Sequence, residues 1–260
     1  MAGASIAGST NLKDSYRRVM DRVAAAAERS GRRPSDVLLV AVTKHAGPDR
    51  IRQLVELGHA DLGESRVQNL AHRVALLGEF LARHRTLGRA GCNRIQVVPT
   101  EVRWHMVGHL QRNKVKLALP LVHLIHSVDS LRLAEELHAQ AVRLDRVVDV
   151  LLQINATQEP SKFGVAAPAA IHLAEQIDTM INLRLRGLMT MAPLEYSGEQ
   201  ARSCFARTAE IFGDIRDAGI GGQHLNALSM GMTNDFEIAI EEGANVVRIG
   251  RAIFGEEAGS

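Results

Sequence analysis

The sequence predicts a single α/β domain that closes into a (β/α)8 TIM barrel. Apolar runs of four to seven residues alternate with longer amphipathic segments, which is the pattern of strands and helices around a parallel sheet. Eight such runs occur in a chain of 260 residues, the usual size for one barrel of this kind. The GxGxxG fingerprint of an open dinucleotide-binding sheet does not follow the first run.

The eight predicted strands are short and rich in aliphatic side chains. They are Val37–Val42, Ala60–Gly63, Trp104–Val107, Val122–Val128, Val148–Ile154, Leu183–Met189, Leu225–Met230 and Val246–Ile249. Helices are predicted at residues 48–58, 65–85, 110–118, 130–143, 167–180, 197–218 and 233–242, with an extra N-terminal helix at 11–30.

Two segments depart from this alternation. Residues 1–10 are small and polar, lack the pattern of a secretory signal, and are predicted to be a disordered lead-in. Residues 78–103 contain a predicted helix end, a Gly-Arg-Ala-Gly-Cys-Asn stretch and a short apolar patch, so they are interpreted as a surface insertion. The barrel is otherwise predicted to span residues 11–257 without a domain boundary.

Composition argues against several classes of protein. No window approaches the roughly 18 apolar residues of a membrane span, and the HExxH zinc motif is absent. Cys92 and Cys204 are the two cysteines, which suits a reducing cytoplasm rather than a disulfide framework. The net charge is only +2, because 31 basic residues are interspersed with 29 acidic residues along the chain, and aromatic residues make up 3%. Neither a membrane nor a nucleic acid is therefore an expected partner.

Lys44 is the first candidate for chemistry. The first strand runs directly into Thr43-Lys44-His45, and barrels of this type carry their working residues at the carboxyl ends of strands. A lysine enclosed by barrel walls loses hydration, which lowers the pKa of its ammonium group and yields an amine able to form a Schiff base with an aldehyde. The alternative is an ordinary surface lysine with a hydrated head group.

The loops after the seventh and eighth predicted strands resemble a phosphate site, which is their common role in such barrels. The first is the small, hydroxyl-bearing turn Ser229–Thr233, whose backbone N–H groups can face an anion. The second offers a fixed charge at Arg248 and a close backbone approach at Gly250. Judged alone, each loop also fits an ordinary capping turn, with Thr233 as the cap.

Other polar residues at predicted strand ends are ambiguous. Hydrogen bonding within the barrel explains them as well as ligand binding does. They are Glu64, Ser65, His105, His109 and Asn155. The methionines near the same end fit packing at the barrel rim, and they are Met189, Met191, Met230 and Met232.

Two dense motifs carry a family resemblance. They are WHxxGxLQxNK, at residues 104–114, and LSMGM, at residues 228–232. Further matching stretches are Val42-Thr43-Lys44, Ser161-Lys162-Phe163-Gly164 and Val247-Arg248-Ile249-Gly250. With them, the chain resembles the pyridoxal phosphate homeostasis protein family over nearly its full length.

This resemblance implies a barrel of the alanine racemase N-terminal domain type that holds pyridoxal 5′-phosphate (PLP) as an imine on Lys44. It also implies phosphate contacts from the Ser229–Thr233 loop and Gly250, and a role for Arg248 at the ring nitrogen or the phosphate. The full set of expected cofactor contacts is Lys44, Ser65, His105, Met189, Ser229, Gly231, Met232, Thr233, Arg248 and Gly250. Ser65 is a departure, because the family usually has asparagine there.

Three functions remain open at this point: a carrier in vitamin B6 homeostasis, a PLP-dependent amino-acid racemase, and an interaction module without a ligand. A racemase needs a second acid or base on the face opposite Lys44, and neither Tyr16 nor Tyr196 follows a predicted strand directly. A module leaves Lys44 and the phosphate loops unexplained. We therefore expect a cytoplasmic, monomeric carrier without turnover of its own, which hands PLP to PLP-dependent apoenzymes. Lys114, Lys116 and Lys162 can hold cofactor in transit, although solvated surface charges explain them better.

Overall fold

Parallel strands form the centre of the molecule in a computed structural model. The structure describes residues 11–89, 98–157, 163–193, 195–196 and 198–255, and for 87–89 it describes the backbone alone. The strands are β1 (Leu38–Val42), β2 (Asp61–Glu64), β3 (Arg103–Met106), β4 (Leu124–Val128), β5 (Val148–Asn155), β6 (Val165–Ala166), β7 (Leu183–Thr190), β8 (Ala227–Ser229) and β9 (Val246–Ile249). The predicted lead-in at 1–10 and residues 90–97 of the predicted surface insertion, including Cys92, lie outside the described residues.

The sheet closes on itself. Its hydrogen-bonded order is β4-β3-β2-β1-β9-β8-β7-β5, and β4 also pairs with β5. Every one of these pairings is parallel. The two-residue β6 adds only to the end of β5, beside Ile154 and Asn155. Eight strands therefore make the barrel wall, and the predicted (β/α)8 fold is confirmed.

Helices surround this wall. In the described part of the chain they are α1 (Leu12–Arg29), α2 (Pro48–Glu56), α3 (Val67–Arg89), α4 (Val115–Ala118), α5 (Leu131–Arg143), α6 (Ala170–Asp178), α7 (Arg202–Asp217), α8 (Phe236–Glu241) and α9 (Arg251–Phe254). Their apolar sides bury a continuous core against the strands. Among these helices, none combines the length and apolar character needed to span a bilayer.

The predicted N-terminal helix α1 begins at Leu12, where the Asn11 side chain accepts a hydrogen bond from the Lys13 backbone N–H at 3.1 Å. Its apolar side is buried. Arg22 and Arg29 on its exposed side pair with Glu237 and Glu241 of α8, at 2.8 and 2.9 Å. Helix α1 therefore packs against α8.

Two helix boundaries differ from the sequence-based expectation. Helix α3 runs from Val67 to Arg89, so it ends four residues beyond the predicted boundary at 85 and includes Gly78. A single exposed glycine costs a helix only about 1 kcal/mol, which the rest of a 23-residue helix absorbs. The helix expected at 110–118 is one α-turn, Val115–Ala118, flanked by 3-10 turns.

Candidate functional site

A cavity of about 500 Å3 opens at the carboxyl ends of the strands. Its wall includes Lys44 after β1, Ser65 after β2, His109 after β3, Tyr196 after β7, Thr233 after β8, and Arg248 and Gly250 on β9 or just after it. This volume lies in the range of small-molecule sites. We call it the carboxyl-end cavity.

Strand register brings the two predicted halves of the site together. Ala41 of β1 lies beside Ile249 of β9, and Val42 lies beside Gly63 of β2. The loops that follow these three strands therefore emerge side by side at one end of the barrel. Lys44 and Gly250 both line the carboxyl-end cavity as a result.

A tight turn presents Lys44 to the cavity. The Ala46 backbone N–H donates to the Thr43 carbonyl, and the Thr43 N–H donates to the Gly63 carbonyl, both at 2.8 Å. Lys44 stands exposed at the tip of this turn. The expectation that barrel walls enclose and desolvate Lys44 is therefore wrong, because the turn carries the side chain to the rim.

A buried ion pair anchors this turn from below. The Glu64 carboxylate is fully buried, pairs with Arg73 of α3, and accepts the backbone N–H groups of Ser65 and Arg66 at 2.7 and 3.2 Å. Arg73 also donates to Thr43 Oγ1 at 2.8 Å and to the Ala46 carbonyl at 3.2 Å. Glu64 thus supports the Lys44 turn rather than meeting a ligand.

Ser65 lines the cavity, but its side chain faces the same carboxylate. Its hydroxyl donates to Glu64 Oε1 at 3.3 Å. Gly108 packs tightly on it, because a Cβ at position 108 would lie 2.7 Å from the Ser65 Cα. The loop after β3 therefore packs directly against Ser65. The serine that stands in place of the family's usual asparagine lies at this contact.

Arg248 supplies a fixed positive charge on β9, the strand next to β1. It is only 4% exposed, yet it lines the cavity. Its Nη1 donates to Ser229 Oγ at 2.6 Å and its Nη2 donates to the Thr190 carbonyl at 2.8 Å. Burial lowers the pKa of Arg248 to about 10, an effect that the nearby Asp235 carboxylate opposes. The guanidinium group therefore remains charged at neutral pH.

The loop after β8 offers free backbone donors. Asp235 accepts the Met232 backbone N–H at 2.5 Å, and Asp235 rather than Thr233 is the N-cap residue of α8. The interpretation of Thr233 as a helix cap is therefore wrong. No described residue accepts a hydrogen bond from the backbone N–H of Thr233 or Asn234, and both residues line the cavity.

Gly250 fits a close approach, since a Cβ there would lie 2.9 Å from the Val42 carbonyl oxygen. Free N–H groups, a buried arginine and a glycine backbone without a side chain suit a phosphate group. The exposed Lys44, after the neighbouring strand β1, suits an aldehyde. The residues present therefore fit PLP.

Four expected contacts do not line the cavity. Met189 packs inside the barrel on Leu124 and Leu151. Gly231 has a φ of +87° and packs on α8, where a Cβ would lie 2.6 Å from the Ala239 Cβ. His105 and Ser229 are buried in the barrel interior. Met232 lines the cavity.

Sequence reasoning missed Tyr196 in the cavity wall and left His109 ambiguous. Tyr196 lines the cavity although it lies six residues beyond β7, because the loop returns across the barrel end. His109 lies 3.1 Å from Asp129 and stacks on Phe163 with ring centroids 4.1 Å apart. Position in a loop after a strand, rather than at the strand end, is the signal that would have found Tyr196. Asn155 does not line the cavity and accepts a bond from Thr157 at 3.2 Å.

Across the part of the chain that the structure describes, no group of three or more potential metal ligands is found. His105 and His109 are four residues apart in sequence, but one is buried in the barrel and the other is on the rim.

Comparison with known proteins identifies the family. The family model for the N-terminal domain of alanine racemase matches residues 16–258. A pyridoxal phosphate homeostasis protein of Aquifex aeolicus is 35% identical over 247 residues, which are 95% of this chain and 98% of that protein. The chain belongs to the pyridoxal phosphate homeostasis protein family. The resemblance predicted from the two motifs is thereby confirmed.

Solved structures agree with this pyridoxal phosphate homeostasis protein fold. A protein of unknown function from Bifidobacterium adolescentis superposes with a TM-score of 0.81, at 36% identity and 94% coverage of both chains. The PipY protein of Synechococcus elongatus, solved with PLP bound, superposes with a TM-score of 0.73 at 30% identity, covering 91% of this chain and all of PipY.

Proposed function

We propose that this chain binds PLP reversibly in the carboxyl-end cavity, with Lys44 as the covalent anchor, and serves vitamin B6 homeostasis without turnover of its own. One observation carries the proposal: an exposed lysine and a buried, charged arginine with free backbone donors line the same cavity of about 500 Å3. The PLP bound in PipY and the name of the Aquifex relative support it.

Each wall has a separate task in this proposal. The turn held by Glu64 and Arg73 presents Lys44, whose amine condenses with the aldehyde and releases one water. The N–H groups of Thr233 and Asn234 hold the phosphate, and Arg248 adds a fixed positive charge. The aldehyde carbon of PLP is the electrophile that the Lys44 amine attacks.

Exposure of Lys44 favours a carrier over an enzyme. A racemase excludes water from the reacting centre, whereas a carrier needs water or a second amine to reach the imine carbon and release the cofactor. Lys44 at the rim meets the second requirement. We expect the recipients to be PLP-dependent apoenzymes and the carrier to be a cytoplasmic monomer. Lys114 and Lys116 lie outside the cavity wall, which fits surface charges, and Lys162 lies outside the described residues.

The racemase remains the second candidate, because Tyr196 and His109 line the cavity and each can exchange a proton. An amino-acid racemase assay separates the two. We expect no turnover. Racemisation that disappears in Tyr196→Phe or His109→Gln would establish the enzyme instead.

The visible absorption spectrum tests the binding mode. Purified protein mixed with PLP should show the band of a Schiff base, and Lys44→Ala should abolish it. Lys13→Ala is the matched control, because Lys13 lies on α1 away from the cavity, and it should keep the band. Wild type without the band, or Lys44→Ala with it, would overturn the proposal. If the chain binds no PLP at all, the interaction module without a ligand becomes the remaining candidate function.

A further inference from the structure

A chain of hydrogen bonds crosses the interior of the barrel and ends at Arg248. Its links are Asp61 Oδ1 to His105 Nε2 at 3.1 Å, His105 Nδ1 to His126 Nε2 at 3.0 Å, His126 Nδ1 to Ser229 Oγ at 3.0 Å, and Ser229 Oγ to Arg248 Nη1 at 2.6 Å. We call it the interior chain. All five side chains are buried, the most exposed being Asp61 at 5%.

The interior chain joins opposite ends of the barrel. Asp61 is the first residue of β2, at the amino end of the barrel, and Arg248 lines the carboxyl-end cavity. His126 of β4 reaches Ser229 of β8, although these strands are not neighbours in the sheet. Their side chains therefore meet inside the barrel, where aliphatic side chains are usual.

Only one arrangement of protons satisfies every link when both imidazoles are neutral and Asp61 is ionised, because the Asp61 carboxylate can then only accept. Arg248 can only donate, so Ser229 Oγ accepts its hydrogen and gives its own to His126 Nδ1. His126 then carries its proton on Nε2 and donates to His105 Nδ1. His105 in turn carries its proton on Nε2 and donates to the Asp61 carboxylate. Each hydrogen bond in the interior chain is therefore donated in the direction from the Arg248 cation to the Asp61 anion.

The charge states agree with this direction. Burial lowers the pKa of His105, against the pull of Asp61, and burial lowers the pKa of His126 still further, so both rings are neutral at pH 7. Burial acts to raise the pKa of Asp61, but hydrogen bonds from His105 and Arg103 hold it well below its usual value. Asp61 is therefore an anion, and its bond to Arg103 Nε measures 2.7 Å.

Arg248 depends on this chain for its orientation. Among the described residues it has no carboxylate within ion-pair distance, and its two hydrogen-bond partners are Ser229 and the Thr190 carbonyl. A buried charge needs such partners, and the loss of one leaves polar atoms without a partner in the interior. The interior chain links the charge of Arg248 to the distant carboxylate of Asp61.

We propose that Asp61, His105 and His126 are positioning residues, which act through Ser229 to hold the Arg248 guanidinium in one orientation at the cavity wall. The proposal rests on the function proposed above, because the oriented group matters when the cavity binds PLP. The histidines do not touch the ligand in this account. They determine how Arg248 meets it.

Substitution of His126 tests the chain. His126→Phe fills similar space but cannot relay a hydrogen bond, whereas His126→Gln offers both an acceptor and a donor. We expect His126→Phe to weaken PLP binding at least about tenfold and to shift the absorption maximum of the loaded protein, because Ser229 loses its acceptor and no longer holds Arg248 in one orientation. His126→Gln should restore most of both. His138→Phe, on α5, is the control histidine and should change neither.

A second measurement needs no variant and no cofactor. Nitrogen-15 NMR of the imidazoles should show His105 and His126 as neutral Nε2–H tautomers in the wild-type protein. A charged His126, or one protonated on Nδ1, would overturn the proposal, as would His126→Phe with wild-type affinity and spectrum. If wild type fails to bind PLP, the proposed function fails, and the tautomers still decide whether the interior chain orients Arg248.

Discussion

Arg73 and Glu64 form the buried ion pair beneath the turn that carries Lys44, and replacing Arg73 with methionine tests how far that turn depends on it. The Glu64 side chain is fully buried and that of Arg73 is 15% exposed. Methionine keeps much of the length of arginine but leaves the Glu64 carboxylate without its cation. Loss of one partner of a buried pair costs about 3–5 kcal/mol. Because Arg73 retains some access to water, we expect the lower limit, about 3 kcal/mol.

Urea denaturation measures this loss directly as the free energy of unfolding. The melting temperature should fall by roughly 6–12 °C, at 2–4 °C per kcal/mol for a domain of this size. The double variant Glu64→Gln, Arg73→Met removes both charges and should recover at least about half of the loss. Arg207→Met breaks an exposed pair with Glu210 and should change stability by at most about 1 kcal/mol.

The Schiff-base band gives the functional half of the same experiment. Arg73→Met releases the Thr43 hydroxyl and the Ala46 carbonyl, so PLP affinity should fall even where the protein is folded. A loss of less than about 1 kcal/mol, or no recovery in the double variant, would refute the claim that the ion pair anchors the turn.

Two further predictions concern Gly250 and the buried histidines. Gly250→Ala places a Cβ against the Val42 carbonyl and should weaken PLP binding several-fold, which a PLP titration measures. The control Gly78→Ala enters open space on α3 and should stabilise the protein by about 0.5–1 kcal/mol in thermal unfolding. Because the pKa values of His105 and His126 are lowered in the folded protein, unfolding takes up protons below about pH 6.5 and stability should fall from pH 7 to pH 5. His126→Gln should reduce the dependence of the unfolding free energy on pH by up to about 1.4 kcal/mol per pH unit, whereas substitution of the exposed His172 by glutamine should leave it unchanged. Urea titrations of the wild type and both variants measure this dependence, and equal slopes in all three would contradict the prediction.

The barrel could be predicted because its strands are buried on both sides and its helices on one. That difference appears directly as short apolar runs such as Val246–Ile249 alternating with amphipathic segments. The place of Lys44 followed from the same alternation, since any residue just after β1 lies at the carboxyl end. Boundaries such as the end of α3, predicted at residue 85 and found at Arg89, depend on small propensities spread over many residues.

The chemistry inside the barrel could not be predicted in the same way. His126 lies inside strand β4 rather than at its carboxyl end, and its partners, His105 and Ser229, lie 21 and 103 residues away in sequence. Which inward side chains meet depends on barrel closure and strand stagger, and neither is encoded locally. The exposure of Lys44 likewise depends on a turn that Arg73, on helix α3, holds in place.

Borohydride reduction of the PLP-loaded protein, followed by peptide mass spectrometry, tests the central claim most directly. Reduction converts a Schiff base into a stable secondary amine and so marks the lysine that held the cofactor. We expect one reduced adduct per chain, on the peptide that contains Lys44. An adduct on another lysine, adducts scattered over several lysines, or none at all would contradict the assignment of Lys44 as the anchor.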